Sequence, residues 1–150
     1  MVYLGSLSES SQIAVINKLM PYKQRIKELI DDNKIFFITG SALEIFGKSI
    51  KRNNEVIECL NIFDYVSEYD YSVRYHDLYE GEFENIKVIG FKCQFSKVNN
   101  VKEEPLFKTI KGMGNNSDSI NEGIRVNNFM ANNAKYDPKF KRKNSVWKPF

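Results

Sequence analysis

The chain has 150 residues, 42% of them apolar and 13% aromatic, enough to fill the core of one ordinary domain and too many for a disordered segment. Its net charge of +3 is small and uneven, because residues 130 to 150 carry Lys135, Lys139, Lys141, Arg142, Lys143 and Lys148 against Asp137 alone. Such a block reads as a solvated tail, and specific nucleic-acid binding is not expected from it. With two cysteines, Cys59 and Cys93, and the single histidine His76, neither a disulfide framework nor a clustered zinc site is visible. Both cysteines are expected reduced and partly buried. No apolar run approaches the ~20 residues of a membrane-spanning helix, and the first residues lack the charged and apolar regions of a secretory signal, so a cytoplasmic location is expected.

In chain order, residues 1 to 4 read as a short apolar strand ending at Gly5, and Ser10 or Ser11 is a candidate cap for the helix that follows. That helix carries Ile13, Ile16, Leu19 and Met20 at helical spacing. Pro21 suits the start of a second helix, whose stripe is Ile26, Leu29 and Ile30. The run from Ile35 to Thr39 is apolar without alternation, as in a parallel strand covered on both faces. Gly40 ends it, and Ser41 to Lys48 reads as a short helix closed by Gly47. The first half is therefore expected to be β-α-β-α and parallel, like a doubly wound sheet. The second half is expected to be mainly antiparallel, with strands over 56 to 63, 69 to 75, 86 to 95 and 123 to 129, rich in β-branched and aromatic residues.

Chemistry points first to Thr39, Gly40 and Ser41. A strand that stops abruptly at a helix start exposes one side chain and aims backbone N–H groups at an anion, the geometry of a nucleophile elbow. Gly40 supplies no nucleophile. Ser41 would need a base, and the chain offers His76 alone, within SVRYHDLYEGEF. Metal binding by His76, Asp77, Glu80 and Glu82 has little support, since they form a scattered set in an expected turn. Gly112-Met113-Gly114-Asn115-Asn116 lacks the Lys-Ser/Thr ending of a phosphate loop and reads as a tight polar turn.

Several segments together resemble class I glutamine amidotransferases of the type found in cobyric acid synthase and in the amidotransferase subunit of lipid II isoglutaminyl synthase. ITGSALEIFGK resembles that family's ICGGYQLLGK elbow. VYLGSLSESSQIAVINKL is similar to its strand, glycine turn and Glu/Asp-x-x-Gln helix start. VIECLNIFDY, a strand with Arg74, KVIGF and KGMGNNSDSINEGIRVNNF follow in the order of the family's GLGLLDF, Arg-bearing strand, IVGFENH and GYGNNGEDGTEGVRYKN. The resemblance covers residues 1 to 129 and leaves 130 to 150 as an unmatched basic tail, expected to run extended, with a brief helix over 138 to 148 as the rival.

The resemblance implies an incomplete flavodoxin-like amidotransferase domain without the family's opening strand and helix. In the family an elbow Cys attacks the glutamine amide, a His is the base, and the ammonia serves a partner. The register puts Gly40 at the Cys, Glu44 at a Gln, Arg74 at an arginine that holds the α-carboxylate, and Lys135 at the His. Glu44 and Arg74 are thus the candidate glutamine contacts, and neither member of the catalytic pair is intact. A binding or regulatory relative without glutaminase activity is the expectation, with a Mur-ligase-like or other synthetase subunit as partner and no cofactor or metal. The alternatives are a gene fragment without independent function and an atypical glutaminase using Ser41 and His76.

Overall fold

A computed structural model describes residues 1–135, which form a mixed α/β protein with two α-helices and three four-stranded sheets of parallel and antiparallel strands. β1 (Val2–Leu4) lies parallel to β2 (Phe36–Thr39), and α1 (Glu9–Leu19) and α2 (Lys23–Asp31) form the crossover between them. The cap of α1 is Ser8, whose hydroxyl accepts from Ser11 N at 3.2 Å, so the helix starts ahead of the expected Ser10 or Ser11. A 3-10 turn, Met20–Tyr22, holds Pro21 near its start and leads into α2. Ile26 and Ile30 of α2 are buried as their spacing requires. On α1 the inward positions are Ile16 and, unexpectedly, Gln12, while Ile13 is 41% exposed.

After β2 the short helix expected over Ser41 to Lys48 is a 3-10 helix, Gly40–Phe46, with Gly47 at its end. Ala42, Leu43, Glu44, Ile45 and Phe46 are all buried, so protein surrounds this segment on every side. The expected strand over 56 to 63 shortens to β4 (Glu55–Glu58), paired with β3 (Ser49–Arg52). Beyond it Leu60, Asn61 and Ile62 donate to the carbonyls of Ile45, Gly47 and Phe46, and Asn61 turns at φ +48. The orphan carbonyls at the end of the 3-10 helix thereby take the donors that a ladder would have used.

The expected strand over 69 to 75 is instead a turn. Tyr69 ends β5 (Val66–Tyr69) and Tyr75 opens β6 (Tyr75–Phe83), so His76 to Glu82 lie in a strand and not in a turn. β6 pairs with β7 (Ile86–Gln94) through Glu84 and Asn85, both at positive φ, as a two-residue hairpin loop demands. β8 (Ser96–Asn99) completes the sheet β4-β3-β5-β8. β9 (Phe107–Lys111) and β10 (Asn121–Glu122) complete β10-β9-β6-β7. The expected single strand over 123 to 129 is a hairpin, β11 (Ile124–Val126) and β12 (Phe129–Asn132), turned at Asn127 with φ +52.

β12 lies parallel on β2, giving the order β1-β2-β12-β11. The parallel character expected of the first half therefore draws one strand from the far end of the chain, and β3 with β5 adds a third parallel pair. Phe129 fixes this arrangement, with its ring 5.0 Å from those of Phe46 and Phe63 and 5.8 Å from Phe36. Ile16, Ile26, Ile30, Ile38 and Ala131 share the same core, each large side chain contributing about 1.5 to 3 kcal/mol by leaving water. β12 begins at Phe129, so the sequence-based division after residue 129 falls inside that strand, and the rival tail helix over 138 to 148 lies outside the described residues. Among the described residues no helix is long and apolar enough to cross a membrane.

Candidate functional site

The parallel strands β1, β2 and β12 end on the same side, the side on which open α/β sheets place their ligands. Three connections meet that edge: Gly5 to Ser8 after β1, Gly40 and Ser41 after β2, and Asn133 to Lys135 after β12. Gly40 has φ +64, a left-handed conformation that favours glycine. A Cβ at that position would also overlap Ser6 Oγ and stand 3.0 Å from Ser6 Cβ. Ser6 therefore fills the space into which a nucleophile at position 40 would project. Ser41 stitches the same two loops, its hydroxyl donating to Leu7 O at 2.7 Å and accepting from Leu7 N at 2.9 Å.

Beneath the junction lies a buried polar network centred on Glu44, which is 1% exposed. Its Oε2 accepts from the Gln12 side-chain amide and from the Tyr69 hydroxyl, both at 2.8 Å, and its Oε1 accepts from Ser96 Oγ at 2.6 Å. Gln12 also donates to Ser41 O at 2.9 Å and accepts from Arg52 Nη1 at 3.2 Å, which ties the helix start to the elbow and to β3. Arg52 is buried, donates to Glu9 O at 3.2 Å and lies 3.7 Å from the Glu9 carboxylate. Burial pushes the Glu44 carboxyl above its ordinary range, against the lowering effect of its hydrogen-bond donors and of Arg52. Both oxygens of Glu44 are thus engaged by protein donors, and the group holds the junction together.

The structure brings Thr39, Gly40, Ser41 and Glu44 into one place, sets His76 on β6 and leaves Arg74 in the connection just before that strand. Arg74 Nη2 donates to Cys93 Sγ at 3.1 Å, and its guanidinium lies 5.9 Å from the Phe95 ring. Phe95 packs on Tyr71, whose hydroxyl donates to Glu9 Oε1 at 2.6 Å, so two aromatic rings connect Arg74 with the start of α1. His76 stands edge-on to Phe91, with ring centres 4.6 Å apart. Asp77 and Glu80 fall on opposite faces of β6, and Glu80 pairs with Lys87 at 3.3 Å. No group of three or more His, Cys, Asp or Glu side chains suited to a metal occurs among the described residues.

Lys135 is exposed at the side chain and pairs its backbone with Phe91, so it leaves β12 at the same edge as Gly40. The loop before it is held from below. Asn133 N donates to Glu122 Oε1 at 2.7 Å, and Glu122 Oε2 accepts from the buried Lys92 ammonium, which also donates to Gly114 O at 2.7 Å. The glycine-rich segment 112 to 116 is not a tight turn but the first part of the loop from β9 to β10, where the Gly114 carbonyl receives Lys92 and Asn115 is buried.

Sequence reasoning did not single out Arg52, Tyr69, Ser96, Lys92 or Glu122. Gln12 carried a signal, since Glu9 and Gln12 are three apart at a helix start and share a side. Together the fold and this edge define a mixed α/β protein with a glycine-centred junction of strand, turn and 3-10 helix, closed by a serine from the neighbouring loop. No protein-family model matches the chain, and no curated protein matches it.

Proposed function

We propose that the protein is a glutamine-amidotransferase-like relative of flavodoxin-like type that does not hydrolyse glutamine and acts as a cytoplasmic binding or regulatory partner of a Mur-ligase-like or other synthetase subunit. The observation that carries the reading is Gly40, which keeps the backbone of an elbow at φ +64 while Ser6 occupies the room for its side chain. Acyl transfer from glutamine requires a nucleophile at that point, and loss of it forfeits most of the rate even where oxyanion donors remain. The segmental resemblance to the amidotransferases supplies the family and the kind of partner.

An atypical glutaminase using Ser41 and His76 has two observations against it. The Ser41 hydroxyl hydrogen is committed to Leu7 O, and His76 sits on β6, in a different sheet from β2, with its ring edge-on to Phe91. The test is ammonia release from glutamine by the purified chain. The expected result is background release from the wild type and from Ser41→Ala alike, and turnover that Ser41→Ala abolishes would reverse the reading.

A further inference from the structure

The face of the β6–β7 hairpin turned away from Lys92 carries a group of side chains that the elbow does not use. His76 and Cys93 are directly opposed in the antiparallel register and therefore share that face. Phe91 lies beside them, edge-on to His76. Arg74, two residues before His76, places Nη2 3.1 Å from Cys93 Sγ. Cys93 is partly exposed, whereas Arg74 and His76 are exposed. Reactive cysteines are found in partly exposed, electropositive surroundings of this kind, and cysteines sealed in apolar cores are inert.

Cys59 is the internal contrast. It is 4% exposed, and its thiol donates to Ile57 O at 3.6 Å. Burial pushes that thiol up to about 12.

We infer that Cys93 is a nucleophilic thiol, and that Arg74 selects for it small disulfides bearing carboxylates, with which it forms a mixed disulfide. The guanidinium presents five N–H donors in a fixed fork, so a contact to sulfur leaves others free at the exposed end for a carboxylate. The nearby acid groups do not compete for it: Asp70 accepts from Ser72 N at 3.0 Å, and Asp77 projects from the opposite face of β6.

In the reaction the Cys93 proton passes to solvent or to the opposed imidazole. Sγ attacks one sulfur of the reagent and forms a new S–S bond as the old one breaks. The displaced sulfur leaves as a thiolate with the electron pair. The reagent disulfide is the oxidant, so the electrons balance without another reactant. This inference is independent of whether the elbow binds glutamine.

The experiment compares the dianionic disulfide dithiobis(nitrobenzoate) with the neutral dithiodipyridine on the folded full chain. One thiol per chain is expected to react quickly, the fast phase to be lost in Cys93→Ser, and the second thiol to appear only in denaturant. Arg74→Gln, at an exposed position and checked for an unchanged circular dichroism spectrum, is expected to slow the dianionic reagent about fivefold relative to the neutral one. Equal labelling of both thiols in the folded chain, a Cys93 rate no higher than in the unfolded chain, or an unchanged reagent ratio in Arg74→Gln would each overturn the inference.

Discussion

Gly40 is constrained twice, by a positive φ and by Ser6, and the two constraints have different remedies. A small residue at position 6 relieves the overlap, but a Cβ at position 40 keeps the strain of a left-handed backbone. Gly40→Ala is expected to cost about 2 to 4 kcal/mol, read from the urea midpoint, and Ser6→Gly is expected to return part of it. Gly40→Cys is expected to show the same loss and no ammonia release, since Ser6 fills the nucleophile's space and Lys135 offers no imidazole.

Glu44 makes a pH prediction of a defined sign. Its folded carboxyl lies above the ordinary value of 4.5 because burial disfavours the charge. The folded state then holds more protons than the unfolded state between 4.5 and the raised value, so stability falls as pH rises through that window and the full cost is present above it. Glu44→Gln removes the charge while its amide oxygen can still accept from Gln12 and Tyr69, and the Ser96 hydroxyl can turn to accept. Urea midpoints measured from pH 4.5 upward are expected to fall less steeply in the variant than in the wild type. An unchanged slope would show that Glu44 is not the group responsible.

At the scale of elements, the joints of this fold depend on a few polar anchors. The buried Lys92–Glu122 pair links β7, β10 and the loop leaving β12, with side chains only 2% and 0% exposed. Burial lowers the Lys92 ammonium against the raising effect of Glu122, so each partner needs the other. Lys92→Met is expected to destabilise the protein by about 3 to 5 kcal/mol, because it leaves an unpaired buried carboxylate. Adding Glu122→Gln is expected to recover much of that loss, since a Gln oxygen still accepts from Asn133 N. Thermal melts of the single and double variants measure the difference.

Helices and turns were legible to different degrees for a physical reason. The stripe of α2 announces its buried face through Ile26 and Ile30. The hairpin β11–β12 hides its turn in Asn127-Asn128, flanked by strand formers, and only the left-handed backbone of Asn127 separates two strands from one. Tyr69 to Tyr75 misleads in the opposite direction. Its aromatic content suggests a strand, but those rings are spent on packing around Glu9, Arg52 and Phe95 at a loop.

At the scale of the whole molecule, the described residues form one large core and one small one. The first joins both helices, the 3-10 helix and strands of the sheets β1-β2-β12-β11 and β4-β3-β5-β8. The second gathers Tyr79, Leu106, Phe107 and Ala134 at the sheet β10-β9-β6-β7. Amide hydrogen exchange is therefore expected to be slowest in β2 and β12, near the free energy of global unfolding, and at least tenfold faster in the outer half of the β6–β7 hairpin. Uniform protection across both would show that the two clusters open as one unit.

By itself the sequence determined the local choices: a parallel strand from the unalternating run ending at Thr39, helices from 3.6-residue stripes, and a glycine where the backbone turns left-handed. It also determined that position 40 carries no nucleophile. Tertiary structure decided that β12, ninety residues later, pairs with β2 and brings Asn133 to Lys135 to the elbow's edge. It decided as well that Ser6 fills the space above Gly40, that Glu44 is consumed by Gln12, Tyr69 and Ser96, and that Arg74 meets Cys93. Periodicity and turn chemistry act between neighbours in the chain and can be read along it. Strand pairing and the partners of a buried charge depend on which surfaces meet once water is excluded, and that is a property of the packed chain.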